Sequence, residues 1–226
     1  RYPVLYLLHG YAGKESGNEN SFNYKGIVPK ALESCSMFVV VPDGGVSWFL
    51  DSPYTDSKYE SYFIRELLPF IDEKFPTLPD RQHRGICGVS MGGHGALTLA
   101  FKNPELFSSA SSLSGILDIL RHQNQWNLAQ LLGPLETNRA VWEANSALQL
   151  SRQWAGTPPI ALFIDCGLND YALQENRDFH RTLQELKIPH LYAENPGGHT
   201  MEYWYDDGHL AEHLAFHNKM FQRNLV

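Results

Sequence analysis

Gly88-Val89-Ser90-Met91-Gly92 sets one hydroxyl between two glycines, with Gly93 and Gly95 close behind. A serine hydroxyl is a weak nucleophile at neutral pH. It attacks a carbonyl carbon once a base takes its proton, and the base is most effective when an acid orients it. The spacing G-x-S-x-G fits a sharp strand-to-helix turn in which the residues two on either side of the serine nearly touch. Side chains at those positions would collide. The turn lifts the hydroxyl above the sheet, beside a helix N-terminus that favours developing negative charge. The flanks suit such a turn, with apolar "RGIC" before it and helix-patterned "ALTLAFKN" after it. Glycines are otherwise a poor way to begin a helix.

On a strand–turn–helix scaffold of this kind the partners follow in the order serine, acid, histidine. Asp170 lies in "CGLNDY", just past an apolar run, and His199 lies in "NPGGHTMEYW", after two glycines. Both fall beyond the C-terminal ends of predicted strands, on the same sheet edge as Ser90. Other residues compete less well. Asp165 lies inside its strand and is expected to face a neighbouring layer. Glu194 is close to His199 in the chain. His94 belongs to the helix after Ser90, and His9 is expected to shape the "HG" turn. His209, His213 and His217 recur every fourth residue. They read either as a metal-binding face, with no fourth ligand evident, or as a partly solvated helix face.

Attack on a carbonyl places negative charge on its oxygen. Preorganised backbone N–H groups stabilise that charge, each by about 3 kcal/mol. The N–H of Met91, the residue after the nucleophile, is one expected donor. The second is expected from "HGYAG", at Tyr11 with Gly10 as the alternative.

These groups need a scaffold. Apolar runs at 3–10, 36–45, 84–90, 108–115, 159–167 and 188–198 read as strands. They are continuous rather than alternating, which points to a sheet covered on both faces. Helix patterns at 59–75 (with a kink expected at Pro69), 92–103, 171–187 and 208–225 alternate with the strands. That alternation implies a parallel sheet with right-handed crossovers. The stretch 116–157, with Trp126, Trp142 and Trp154, is expected to form short helices over the sheet edge, as extra core or as a pocket wall. No repeat or low-complexity segment interrupts the chain, which reads as a single domain over 1–226.

Composition limits the partners. The 226 residues are 43% hydrophobic and 19% charged, with a formal charge of −7, which disfavours a nucleic-acid or anionic-membrane surface. No apolar run approaches the roughly 18 residues of a membrane span. Cys35, Cys87 and Cys166 are odd in number and widely spaced, and they read as buried strand cysteines. The chain opens at Arg1 with no visible leader, which fits either a cytoplasmic protein or an exported one whose leader is absent.

Taken together, "YPVLYLLHGYAG", "VVVPDG", "SWFLDSP", "KYESYFIRELLPFIDEKFP", "GVSMGGHGAL", "GLNDY" and "GGHTMEYW" resemble the "putative esterase" family of α/β-hydrolases. This family includes S-formylglutathione hydrolases, feruloyl and acetylxylan esterases, tributyrin esterases and mycolyltransferases. The resemblance implies an α/β-hydrolase fold and a serine carboxylic-ester hydrolase needing no cofactor or metal. It assigns Ser90, Asp170 and His199 as nucleophile, acid and base. It also places Trp48 and Asp51 near the pocket rim. The implied substrates are short-chain acyl esters or acylated sugars, with thioester hydrolysis, acyl transfer to a sugar hydroxyl and non-catalytic binding as alternatives. Members usually carry further strands before "YPVLYLLHG". Without them the strand at 37–41 is expected at the sheet edge, covered by an N-terminal segment or by another copy of the chain.

Overall fold

The computed structural model describes residues 1–11 and 27–224. Six strands make one parallel sheet: β1 Val4–Leu8, β2 Phe38–Val40, β3 Arg84–Val89, β4 Ser109–Leu113, β5 Ala161–Gly167 and β6 Leu191–Asn195. Their order across the sheet is β2-β1-β3-β4-β5-β6. The continuous apolar runs are explained by the two cores they serve. Val4, Tyr6 and Leu8 of β1 join one buried cluster, and Leu5 and Leu7 join the other.

The larger cluster lies under four helices. The first, α2, contains Tyr59–Tyr62, a π-helical turn Phe63–Leu67 and Leu68–Lys74. The others are α3 Met91–Lys102, α6 Ala147–Trp154 and α7 Leu173–Glu185. The second cluster lies under α1 Ile27–Leu32, a π turn Glu202–Asp206 and α8 His209–Asn224. At Pro69, where a kink is expected, the helix carries a widened turn. Leu68 N–H bonds Phe63 O, five residues back, immediately before the residue that has no N–H to donate.

The register aligns the C-terminal ends of the strands. Leu8 pairs with Gly88, Val89 with Leu113, Leu113 with Asp165, and Gly167 with Asn195. The loops after β1, β3, β5 and β6 therefore open on one edge of the sheet.

Several expectations are corrected. The stretch 116–157 covers α3 on a sheet face rather than running over an edge. It forms a 3-10 turn Ile119–His122, α4 Leu128–Leu132, α5 Leu135–Glu143 and α6. Its Trp142 and Trp154 are buried core, whereas Trp126 is only half-buried. The second strand shortens to Phe38–Val40. It lies at the sheet edge as expected, half-buried, with Val41 exposed beside it. Cys87 and Cys166 are buried in strands, but Cys35 is half-buried in the turn after α1; all three are free thiols.

His209, His213 and His217 are all buried, not partly solvated. Small residues under α8 make the room: Ser109 and Ser111 hydrogen-bond the two ring nitrogens of His217 at 2.8 Å each. His213 stacks on Phe163, with ring centroids 4.1 Å apart.

Candidate active site

Ser90 closes β3 with φ 56° and ψ −116°, a conformation L-residues rarely hold. Its N–H bonds Leu113 O at 2.9 Å, and its carbonyl accepts the first helical bond of α3 from His94. The glycines leave room for this turn. A Cβ at Gly88 would sit 2.9 Å from Gly92 Cα, and one at Gly92 would sit 2.6 Å from His9 O. Gly93 abuts Ser112, and Gly95 abuts Phe49. The cluster thus packs the start of α3 directly onto β1 and β4.

Asp170 and His199 stand on adjacent loops. Gly167, at the end of β5, faces the Gly197 carbonyl so closely that a Cβ would lie only 2.5 Å from that oxygen. Asn169 N–H bonds Gly197 O at 2.7 Å, and Leu168 N–H bonds Asn195 O at 2.8 Å. These bonds tie the Asp170 loop to the His199 loop. Asp170 is 6% exposed. One of its carboxylate oxygens also accepts from Ala172 N–H at 2.8 Å, at the start of α7.

The result is a continuous line. Asp170 Oδ2 lies 2.9 Å from His199 Nδ1, and His199 Nε2 lies 2.8 Å from Ser90 Oγ. Each spacing is that of a hydrogen bond, so a proton can pass from the hydroxyl to the imidazole while the carboxylate holds the ring.

Two further side chains flank the imidazole, and the sequence did not single them out. The Tyr171 ring lies 4.4 Å from that of His199. Trp204 meets His199 edge-on at 4.8 Å, and its indole N–H donates to Ser114 Oγ at 2.9 Å. Both residues end quoted motifs, "GLNDY" and "GGHTMEYW", but a motif does not show which way a side chain turns.

Deeper down, Asp165 is fully buried and does not serve His199. It accepts from the Tyr203 hydroxyl and, at 3.3 Å, from Asn195 Nδ2. Tyr203 and Asn195 lie on either side of His199 in the chain, so this carboxylate anchors both ends of the loop that carries His199. Burial raises its pKa. Asp165, His209 and Glu212 also bring three ligand atoms within 4.8 Å of one another. The Asp165 carboxylate is already engaged with two donors and Glu212 is exposed, so the trio reads as a network of polar contacts. Glu194 forms a two-bond pair with Arg177 at 2.8 and 2.7 Å, which lowers its pKa to about 2.

The loop after β1 approaches from the opposite side. A Cβ at Gly10 would lie 3.4 Å from Ser90 Cβ. His9 is buried; its Nε2 accepts from Gly44 N–H at 2.9 Å, leaving Nδ1–H to donate to Gly10 O at 2.7 Å. In a trans peptide the following N–H, that of Tyr11, points opposite to that carbonyl. Tyr11 packs against Trp48 and Trp126, with centroids 6.3 and 6.2 Å away, and those indoles meet each other at 5.2 Å. Trp48 and Trp126 both have positive φ, 55° and 51°. Trp126 is braced by His122 at 5.3 Å, and His122 pairs with buried Glu175 at 3.0 Å.

Trp48, expected at the rim, is buried behind Tyr11 and donates its indole N–H to Asn127. Asp51 is occupied elsewhere: it accepts from Ser61 N–H and Oγ in the first turn of α2, as a helix cap does. His94 is buried, and its Nε2 bonds Asn145 O at 2.8 Å. A cavity of about 410 Å³ lined by Arg81, Trp154, Ile188 and Arg223 adjoins Ser108 and Ala161, at the opposite ends of β4 and β5 from Ser90 and Asp170. Among the described residues, no helix is long and apolar enough to cross a membrane.

Known proteins share this architecture. The chain is 27% identical to the S-formylglutathione hydrolase of Bos taurus, with 96% of this chain and 83% of that protein aligned. It is 28% identical to an acetyl esterase of Caldicellulosiruptor saccharolyticus, over 89% of this chain and 78% of the other. A solved ferulic acid esterase superposes with a TM-score of 0.78 at 30% identity, covering 98% of this chain and 86% of that one. The family described as "Putative esterase" matches residues 1–216. The chain is therefore a member of the putative esterase family, a carboxylesterase-type hydrolase on an α/β-hydrolase fold.

Proposed function

We propose that Ser90, His199 and Asp170 hydrolyse a carboxylic ester through an acyl-enzyme. The observation that carries this reading is the unbroken hydrogen-bonded line from Asp170 through His199 to the strained Ser90. Ser90 Oγ attacks the acyl carbon as His199 Nε2 takes its proton. The alcohol leaves with that proton, and water activated by His199 then releases the acid. Asp170 fixes the imidazole tautomer and stabilises its protonated form. Met91 N–H, at the start of α3, and Tyr11 N–H, turned by the His9–Gly10 contact, are the proposed donors to the oxyanion. Replacing Ser90 with Ala is expected to abolish p-nitrophenyl acetate hydrolysis; undiminished turnover by the purified variant would overturn the assignment.

For the substrate, we propose a short or planar acyl group seated against Tyr11 and Trp126, with the alcohol portion, a sugar for example, extending past exposed Leu168 and Tyr171. The names of the relatives keep thioesters in view, and the same triad serves acyl transfer. A panel of p-nitrophenyl esters of increasing chain length, S-formylglutathione, methyl ferulate and acetylated xylan ranks these substrates. Product analysis with an added sugar acceptor separates transfer from hydrolysis.

The β2 edge, with Val41 and Phe75 exposed nearby, supports a further proposal: a strand from outside these 226 residues, or from a second copy, covers it. Light scattering at micromolar concentration reads the second-copy case as a dimer.

A further inference from the structure

The cavity of about 410 Å³ at the far edge of the sheet takes no part in the chemistry proposed for Ser90. Its apolar walls come from separate parts of the chain. Trp154 closes α6, Ile160 precedes β5, Ile188 follows α7, and Met220 lies in α8. The Trp154 ring is fixed by its stack on Phe101, with centroids 4.9 Å apart, and by its N–H bond to Pro158 O at 3.1 Å. Arg81 and Arg223 also line the cavity, and among the described residues no carboxylate does. That is the reverse of the chain's overall balance, a formal charge of −7.

Arg81 is held in place by neutral groups. Its Nε–H donates to Pro104 O at 2.9 Å and its Nη2 donates to Pro159 O at 2.6 Å, which uses two of the five N–H donors of a guanidinium. Asp80, next to it in the chain, gives its carboxylate to Gln82 N–H, His83 N–H and the His83 ring instead. Burial lowers the Arg81 pKa, and exposed Glu105 offsets that only in part. Arg223, in the last turn of α8, makes no ion pair among the described residues.

We propose that this cavity binds a small amphiphilic carboxylate, its apolar tail against Trp154, Ile188 and Met220 and its charged head on Arg81 and Arg223. The volume lies within the range of about 300–1,000 Å³ typical of small-molecule sites, which are mostly apolar with a few placed polar groups. A planar guanidinium can meet a carboxylate through two parallel N–H bonds. A neutral apolar ligand would leave both cations unanswered, and the apolar walls offer little to the hydroxyls of a sugar phosphate. The site lies at the opposite strand ends from Ser90, so the inference does not depend on which residue is the nucleophile.

Octanoate is a suitable probe, and the five tryptophans report where it goes. With 5-fluorotryptophan incorporated, the ¹⁹F line missing from Trp154→Phe identifies Trp154. Titration with octanoate is expected to shift that line with a Kd of about 1 mM or tighter. Octanamide, the uncharged analogue, should bind at least about tenfold more weakly. Arg223→Glu should weaken octanoate binding by a similar factor, and Met220→Trp should abolish it by filling the cavity; both should hydrolyse p-nitrophenyl acetate at the wild-type rate. No shift of the Trp154 line at concentrations tenfold above that Kd overturns the proposal. So does a shift confined to Trp48 and Trp126, which would place octanoate beside Tyr11 instead. Equal binding of octanoate and octanamide by the unaltered protein, or undiminished binding by Arg223→Glu, likewise refutes recognition of a carboxylate.

Discussion

Gly92→Ala adds one methyl group at the point where α3 starts against the end of β1. That Cβ would lie 2.5 Å from the Leu8 carbonyl carbon and 2.6 Å from His9 O, whereas ordinary contact begins at 3.4 Å. Both partners are backbone, so no rotamer change relieves the overlap. The strand end and the helix start must part by about 1 Å, and such overpacking typically costs about 1–3 kcal/mol. The displacement also falls on the chemistry. Ser90 is two residues upstream, and its hydroxyl now stands 2.8 Å from His199 Nε2. A shift of about 1 Å breaks that hydrogen bond and is expected to lower kcat/KM about a hundredfold. Urea unfolding gives the stability change, and p-nitrophenyl acetate hydrolysis gives the activity. Gly198→Ala is the control, since its Cβ would meet its nearest neighbour, Asn169 O, at 3.5 Å; it should fold with nearly wild-type stability. A Gly92→Ala protein with wild-type unfolding and activity within threefold would refute the steric account of the turn.

Three further outcomes follow from the buried polar groups. Burial lowers the pKa of His94 and His217 from 6.5 to about 3, and that of His213 well below 6.5. Below pH 6.5 the unfolded chain therefore binds more protons than the folded one, and stability falls as pH falls toward 3. The slope approaches about 1.4 kcal/mol per pH unit for each histidine. His9 and His180 act in the same sense. His122, where burial is outweighed only by Glu175, Gln125 and Asp118 together, acts in the opposite sense, as do the buried carboxyls of Asp165 and Glu175. Urea midpoints should fall clearly between pH 7.5 and pH 5; a flat profile would contradict the burial of these rings. Tyr203→Phe deprives buried Asp165 of a donor and should cost about 1–3 kcal/mol in urea unfolding, with a lower kcat because the His199 loop loosens. Wild-type stability and kcat would show that the anchor is idle. His9→Phe removes the bonds to Gly44 N–H and Gly10 O and should lower kcat on the order of tenfold with little change in KM. An effect confined to KM would argue that His9 has no part in aiming the Tyr11 amide.

The meeting of Ser90, His199 and Asp170 was legible in the sequence because its main constraint is local. A strained serine turn demands small neighbours, and those glycines can be read directly. Asp170 and His199 could then be placed by chain order and by strand ends. Long-range contacts were not legible. Asp165 looks like a second acid in the sequence, and only the pairing of β5 with β6 turns it toward Tyr203 and Asn195. The period-four histidines of α8 looked solvated because the small side chains of Ser109 and Ser111 that admit them lie on a strand a hundred residues away. Asp51 sat in a family motif near the site, yet its partner is Ser61. Pro69 announced a disturbance in α2, but not its form, a π turn closed by Leu68 N–H on Phe63 O.

The central claim is a covalent intermediate on one hydroxyl. The most direct measurement is to trap the acyl-enzyme by acid quench during p-nitrophenyl acetate turnover and map the adduct by peptide mass spectrometry. A single acetyl group is expected on Ser90, absent from Ser90→Ala and persisting longest in variants that slow deacylation. An acetyl group on another residue that turns over at the catalytic rate, or full activity in Ser90→Ala, would contradict it.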